Sequence, residues 1–244
     1  MAKIEGRNAV MEAVKAERRK IHQIMIQDTA QGDNIEKISS LARQKKIRVE
    51  KVSSEKIEHL SESYAHQGII ALGDDLPYYS PEELVQKARD KNEAPRLLIL
   101  DRIQDPQNFG ALIRTAHAAG MHGVIYPKNR AADITPAVLK ASAGSGEYLP
   151  LCKVSNINYA IANLKDIGLW IAGTAPEATD YYYDIDLKGA LAIVIGNENE
   201  GLRRLVKENC DFLLKIPIYG KVGSLNASVA AGVVIFEALR QHEK

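Results

Sequence analysis

Two apolar runs near the C terminus, Leu191–Ile195 and Phe212–Ile216, each end in a glycine-bearing polar turn. The first turn reads Gly196-Asn197-Glu198-Asn199-Glu200-Gly201. The second runs from Pro217 through Gly220, Gly223, Ser224 and Asn226 to Ser228 and then launches a helix. A third run, Leu97–Leu100, leads into Asp101–Asp105 and another helix. Uninterrupted apolar strands interleaved with helices specify a parallel sheet covered on both faces. A buried strand has no need of Glu198 or Asn226 at its exit. A ligand site at the carboxyl edge of an open α/β sheet does.

The 244 residues suit one large or two small domains. Residues 1–75 read as a small α/β unit with a parallel or mixed sheet. Helices are expected over Ala9–Ala16 and Ile35–Lys45, and strands over Ile21–Ile26, Ile47–Val52 and Gly68–Leu72. Ser53 or Ser54 suits the cap of a short helix between the last two strands. Residues 76–95 carry Pro77, Pro81 and Pro95 around one charged helix and are expected to be a linker. Residues 96–244 then repeat strand, turn and helix. Further strands are expected at Val124–Tyr126, Tyr148–Val154 and Leu169–Ala172. Helices are expected from about Asn108 to Ala119, with Gly120 just past the end, and over Thr135–Ala143, Asn156–Ile167, Leu202–Glu208 and Asn226–Gln241. The last of these is apolar enough to be buried on most sides, as at a subunit interface.

Several chemistries are excluded by spacing. GxxxxGK[ST] and GxGxxG strand–helix turns are absent, so neither a P-loop nor a dinucleotide fingerprint is present. The six histidines lack HxxxH spacing, and no GxSxG occurs. Cys152 and Cys210 are too few for a disulfide scaffold and suit small packed hydrophobes. No apolar run approaches a membrane span and no secretory pattern opens the chain, so a cytoplasmic protein without membrane or metal partners is expected. Net charge is +1, but residues 1–60 carry 13 Lys/Arg against 9 Asp/Glu, an excess compatible with a nucleic-acid backbone or with a solvated surface.

The polar residues at the strand exits have structural alternatives. Asn108 suits a helix cap. Arg114 lies nearly opposite the stripe of Phe109, Leu112, Ile113 and Ala116, so it is either a surface arginine or a phosphate clamp. Glu198 sits inside its turn, as helix-start charge or as a functional carboxylate. Asn197 and Asn199 tolerate left-handed turn geometry. Ser224, Asn226 and Ser228 compete for one cap.

Together, three segments resemble the SpoU, or TrmH-type, RNA ribose 2′-O-methyltransferases. They are Asp105–Ala116, Ile195–Leu202 and the stretch from Ile216 through Asn226 to Ala231, and the likeness covers roughly residues 95–244. Gly6–Val10 and His66–Ile69 resemble the auxiliary RNA-binding domain of the group that methylates a guanosine in 23S ribosomal RNA. The resemblance implies a C-terminal domain with a deep trefoil knot, against the usual rule of unknotted chains, and an L30e-like N-terminal domain. It implies S-adenosylmethionine bound by Thr174, Gly196, Ile216, Ser224 and Leu225, and a homodimer with the site near the interface. It implies that Arg114 binds a phosphate and activates the ribose hydroxyl, that Asn108 orients substrate or Arg114, and that Glu198 positions Arg114 or substrate. Ser224 and Asn226 would hold the reacting groups. Asn197, Asn199, Ile218 and Ala227 depart conservatively from the family pattern. A transfer RNA substrate and a non-catalytic RNA-binding assembly factor are the alternatives.

Overall fold

The computed structural model describes residues 1–62, 66–221 and 223–242; Val222, within the third motif, lies outside them. The chain forms two compact units. One comprises Met1–Pro77 with residues 134–148, the other Tyr78–Asp133 with Leu149–Lys244.

The first unit contains β1 (Ala2–Glu5), α1 (Arg7–Ala16), β2 (Ile21–Gln27), α2 (Asp33–Gln44), β3 (Arg48–Val52), α3 (Ser54–Leu60) and β4 (Ile69–Gly73). The sheet order is β1-β4-β2-β3. Only the β2–β3 pair is parallel, so the sheet is mixed. Strand β1 was not expected. Its four residues are too short to show alternation, and antiparallel pairing with β4 makes them a strand. Ser53, not Ser54, caps α3 by accepting from the Lys56 amide. One side of the sheet buries Ile4, Ile24, Ile26 and Ile69 against Val10, Val14, Ile35 and Ile38 of the helices.

In the second unit, α4 (Pro81–Arg89) precedes β5 (Arg96–Asp101). Residues 76–95, expected as a linker, therefore hold a packed helix. Leu84 and Val85 of α4 are fully buried in this unit's core. Ser80 and Glu83 close a reciprocal capping box at its start. Next come α5 (Pro106–Ala118) and β6 (Gly123–Pro127), and Gly120 takes the left-handed φ of 68° that ends α5. The chain then supplies α6 (Pro136–Ala141) and a 3₁₀ turn, Ser145–Glu147, to the first unit. There Glu147 pairs with Arg19, both side chains almost wholly buried. The second unit resumes with β7 (Leu151–Val154), α7 (Ile157–Asp166), β8 (Trp170–Thr174), β9 (Asp180–Tyr181), β10 (Leu191–Gly196), α8 (Arg204–Asn209), β11 (Phe212–Lys215) and α9 (Ala227–His242).

Its seven strands are all parallel, in the order β7-β6-β5-β10-β8-β11-β9. Strand β10 sits between β5 and β8, and all six of its residues are buried. On one face Leu97, Ile99, Ala192 and Val194 pack with Ile161 of α7 and Val206 of α8. The period of two turns Leu98, Leu100, Ile193 and Ile195 to the other face. There α5 covers the sheet, Phe109 meeting Tyr126 edge-on at 5.0 Å between ring centres. Helix α9 packs along α5, with Thr115 about 3.8 Å from where a Cβ on Gly232 would lie. Within this single chain α9 buries only part of its surface. Ala231, Val234, Ile235 and Ala238 are buried, but Val229 and Phe236 are 53% and 48% exposed within this chain. A helix apolar all round has one face left over after one sheet and one neighbour are covered.

Candidate functional site

The carboxyl ends of β8, β10 and β11 border a cleft of about 290 Å³, close to the lower end of the ~300–1,000 Å³ typical of small-molecule sites. Thr174, Gly196, Ile216, Ser224 and Leu225 all line it, so the structure brings together every residue expected around the cofactor. Glu198 also lines it. From Ile216 through Leu225 no described residue makes a backbone–backbone hydrogen bond. Backbone amides and carbonyls are obligatory hydrogen-bonding groups. A chain segment that leaves them unpaired beside a cleft presents a ready-made polar lining. The Thr174 hydroxyl is already committed to the Val194 carbonyl at 3.3 Å, while Ser224 makes no hydrogen bond to a described residue.

The turn after β10 is built by one side chain. Asn197 Oδ1 accepts from the amides of Asn199 and Glu200 at 2.9 and 3.3 Å. Its Nδ2 donates to the Arg102 carbonyl at 3.0 Å. The backbones of Asn197 and Gly201 exchange two bonds of 3.2 and 2.9 Å. Only Gly201, with φ 65°, takes the left-handed conformation expected of this turn; neither asparagine does. Gly196 is required for packing. A Cβ there would stand 2.3 Å from the Gly201 carbonyl carbon and 2.4 Å from the Leu202 nitrogen.

Asn108 is not the cap of its helix. Asp105 takes that role, accepting from the amides of Gln107 and Asn108 at 3.3 and 3.0 Å, with Pro106 in the first turn where a missing N–H does no harm. The Asn108 side chain is therefore available. Its Nδ2 donates to Glu198 Oε1 at 2.6 Å, and its Oδ1 accepts from Asn226 Nδ2 at 2.9 Å. Asn226 Oδ1 in turn accepts from the Ser228 amide and hydroxyl at 2.9 and 2.6 Å, and from the Val229 amide at 3.4 Å. Asn226 thus wins the competition to cap α9. The orientation of the chain follows from its end. An ionised carboxylate only accepts, which turns the Asn108 amide toward Glu198 and its oxygen toward Asn226. Three segments far apart in sequence are thereby locked at the edge of the cleft.

Arg114 stands outside this network. It is exposed and makes no hydrogen bond or ion pair with a described residue. Six residues past Asn108, it lies about 9 Å farther along α5 and about 120° around it. Of the two partners expected for Glu198, Arg114 or substrate, Arg114 is not in contact; Glu198 accepts from Asn108.

Sequence reasoning missed a second polar anchor. Asp101, the last residue of β5, is fully buried. It accepts from the Arg203 amide at 3.1 Å and Nε at 2.8 Å, and pairs with its terminal nitrogen at 2.6 Å. The pair ties the exit of β5 to the residue that follows the β10 turn. An acidic residue closing an otherwise apolar run was the available signal. Its partner, 102 residues away, had none. His122 is buried and satisfied: Nδ1 accepts from the Arg96 amide at 3.1 Å, so Nε2 carries the proton shared with Glu93 at 3.0 Å. Burial pushes the Cys152 and Cys210 thiols up to about 12, as inert packed groups. Among the described residues no cluster of three or more His, Cys, Asp or Glu is placed to hold a metal. None of their helices is long and apolar enough to cross a membrane.

Comparison with known proteins places this geometry. The SpoU rRNA Methylase family matches residues 95–236, and the family described as RNA 2′-O ribose methyltransferase substrate binding matches residues 3–79. A putative TrmH family tRNA/rRNA methyltransferase of Bacillus subtilis is 40% identical over 97% of this chain and 94% of its own length. An AdoMet-bound rRNA methyltransferase from Sinorhizobium meliloti superposes with a TM-score of 0.79 at 25% identity, covering 98% of this chain and 87% of that one. The SpoU methyltransferase AviRb from Streptomyces viridochromogenes, in complex with AdoMet, shares the fold with a TM-score of 0.81 at 23% identity, over 98% and 89% of the two chains.

Proposed function

Because the chain belongs to the SpoU rRNA methylase family, we propose that it methylates the ribose 2′-hydroxyl of a guanosine in 23S ribosomal RNA. It is an S-adenosylmethionine-dependent RNA 2′-O-ribose methyltransferase with an α/β SpoU/TrmH fold and an N-terminal substrate-binding domain. The observation that supports methyl transfer at this cleft is that Glu198 belongs both to it and to the Asn226–Asn108–Glu198 chain.

The cleft fits the methyl donor. Its walls combine apolar Ile195, Leu214 and Ile216 with peptide groups of the described residues in 216–225 that make no backbone–backbone bond to another described residue. S-adenosylmethionine supplies an electrophilic methyl group on a sulfonium when bound. Gly196 lets the 197–201 turn close against the strand end and so shapes the wall, and Thr174, Gly196, Ile216, Ser224 and Leu225 would hold the donor. The ribose hydroxyl must shed a proton as it attacks. The Arg114 guanidinium binds the adjacent phosphate and stabilises the developing negative charge, while the proton leaves to solvent. Asn108, fixed by Glu198, orients the substrate, and Ser224 and Asn226 hold the reacting groups.

The same reading includes a deep trefoil knot, supported by the insertion of β10 between β5 and β8 before the chain runs on to β11. It includes an L30e-like first unit, supported by its mixed four-stranded sheet. The exposed apolar face of α9 supports a homodimer. Two free thiols suit the reducing cytoplasm. The Bacillus relative, a putative tRNA/rRNA methyltransferase, is compatible with transfer RNA as the second reading.

Mapping ribose methylation in cells with and without the gene decides the target. Loss of one ribosomal guanosine mark is expected, and loss of a transfer RNA mark alone refutes the ribosomal assignment. Arg114→Ala is expected to abolish methyl transfer with S-adenosylmethionine binding retained by titration. Full activity in that variant refutes its role.

A further inference from the structure

A second cavity, of about 310 Å³, opens beside the exits of β5, β6 and β7. Arg102, Arg130 and Arg203 line it, with Asn129, Ser155 and Asn156. We infer that it is a subsite for the phosphodiester backbone of the RNA substrate, a reading that rests on the proposed RNA methylation.

Three observations carry the inference. The first is charge. Arg203 is neutralised by buried Asp101, and Arg102 makes a long ion pair of 3.7 Å with the exposed Glu200. Arg130 is exposed and pairs with no described residue. No carboxylate lines the cavity, so it keeps a net positive charge. The second is backbone. Arg102 and Arg130 hold left-handed φ angles of 62° and 58°, a conformation unfavourable for an L-residue with a long side chain. Glycine or asparagine would sit there more comfortably, and neither would bring a cation to the cavity. The third is placement. Asn197, which builds the turn carrying Glu198, donates to the Arg102 carbonyl. The turn that lines the first cavity is thus bonded to a residue lining the second, and both open on the same carboxyl edge, one at β10, β8 and β11 and the other at β5, β6 and β7. At about 4.8 Å per strand, they are some 10–15 Å apart, within the reach of a few nucleotides. Guanidinium groups with amide and hydroxyl donors suit phosphate oxygens. The scarcity of apolar side chains argues against a base or a second cofactor.

The test uses the full chain and an in vitro transcript of 23S ribosomal RNA, with binding followed across a salt series. Arg130→Gln is expected to weaken RNA about three- to tenfold and to lower the slope of log affinity against log salt by about 0.7–1. Arg102→Gln/Arg130→Gln should lower it about twice as far, while Arg130→Lys retains most of the slope. S-adenosylmethionine affinity should be unchanged in all three. Wild-type affinity and slope in the double variant, with RNA still bound, overturn the subsite alone. Absence of RNA binding by the wild type overturns the functional reading and the subsite with it. Saturation by inorganic pyrophosphate, with RNA affinity unchanged in the variants, reassigns the cavity to a small anion and overturns the inference.

Discussion

Gly196→Ala tests whether the wall of the cofactor cleft depends on a missing side chain. The added Cβ would lie 2.3 Å from the Gly201 carbonyl carbon, 2.4 Å from the Leu202 nitrogen and 2.5 Å from the Gly201 oxygen. The nearest is 1.1 Å short of the 3.4 Å at which ordinary contact begins. All three are backbone atoms, so no rotamer relieves the overlap. Relief requires the 197–201 turn to move outward, which breaks the two Asn197–Gly201 bonds. These are worth about 1 kcal/mol each, and residual overpacking adds about 1–3 kcal/mol. The sum, about 3–5 kcal/mol, appears in one of two readouts. If the turn holds, the melting temperature falls by about 6–20 °C. If the turn gives way, the cleft and Glu198 move and S-adenosylmethionine binds about 100-fold or more weakly. Calorimetric titration and thermal melts separate the two. Gly220→Ala is the control, since nothing lies within 4 Å of its added Cβ. A Gly196→Ala protein matching wild type in both affinity and melting temperature refutes the packing argument.

Asp105→Ala should destabilise the protein by about 1 kcal/mol through loss of the α5 cap, whereas Asn108→Ala, which cuts the bonds to Glu198 and Asn226, should cost about 1–2 kcal/mol and reduce turnover; wild-type stability of Asp105→Ala refutes the cap assignment. Arg203→Met strands buried Asp101 and should lower stability by about 3 kcal/mol in urea titration, with Asp101→Asn restoring part of the loss. Equal stability of the single and double variants would show that Asp101 does not depend on its partner. His122 titrates below the ordinary histidine value because burial disfavours its charged form, despite the Glu93 bond that opposes the shift. A depressed folded-state pKa gives stability that is complete above the unfolded value of about 6.5 and is lost as pH falls below it. Melting temperature should therefore fall on acidification through that range, and His122→Asn should flatten the fall.

The apolar strands and most helix ends were legible because short-range chemistry decides them. Asn156 caps α7 and Gly120 ends α5 as the local pattern requires. Strands β1 and β9 were not legible, since four and two residues become strands only through the neighbours they pair with. The candidate site falls between these cases. Read locally, Asn108, Glu198, Ser224 and Asn226 are each a plausible cap or turn residue, and nothing nearby says which is left for chemistry. The decision is competitive. Asp105 beside Pro106 takes the α5 cap and releases Asn108. Asn197 satisfies the turn after β10 and releases Glu198. Asn226 has two ends and does both, capping α9 with its oxygen and reaching Asn108 with its nitrogen. What remains after these structural demands is one carboxylate at a cleft, oriented by two amides. Arg114, with no structural partner among the described residues, is the complementary case. A cation that folding does not use remains available to a phosphate.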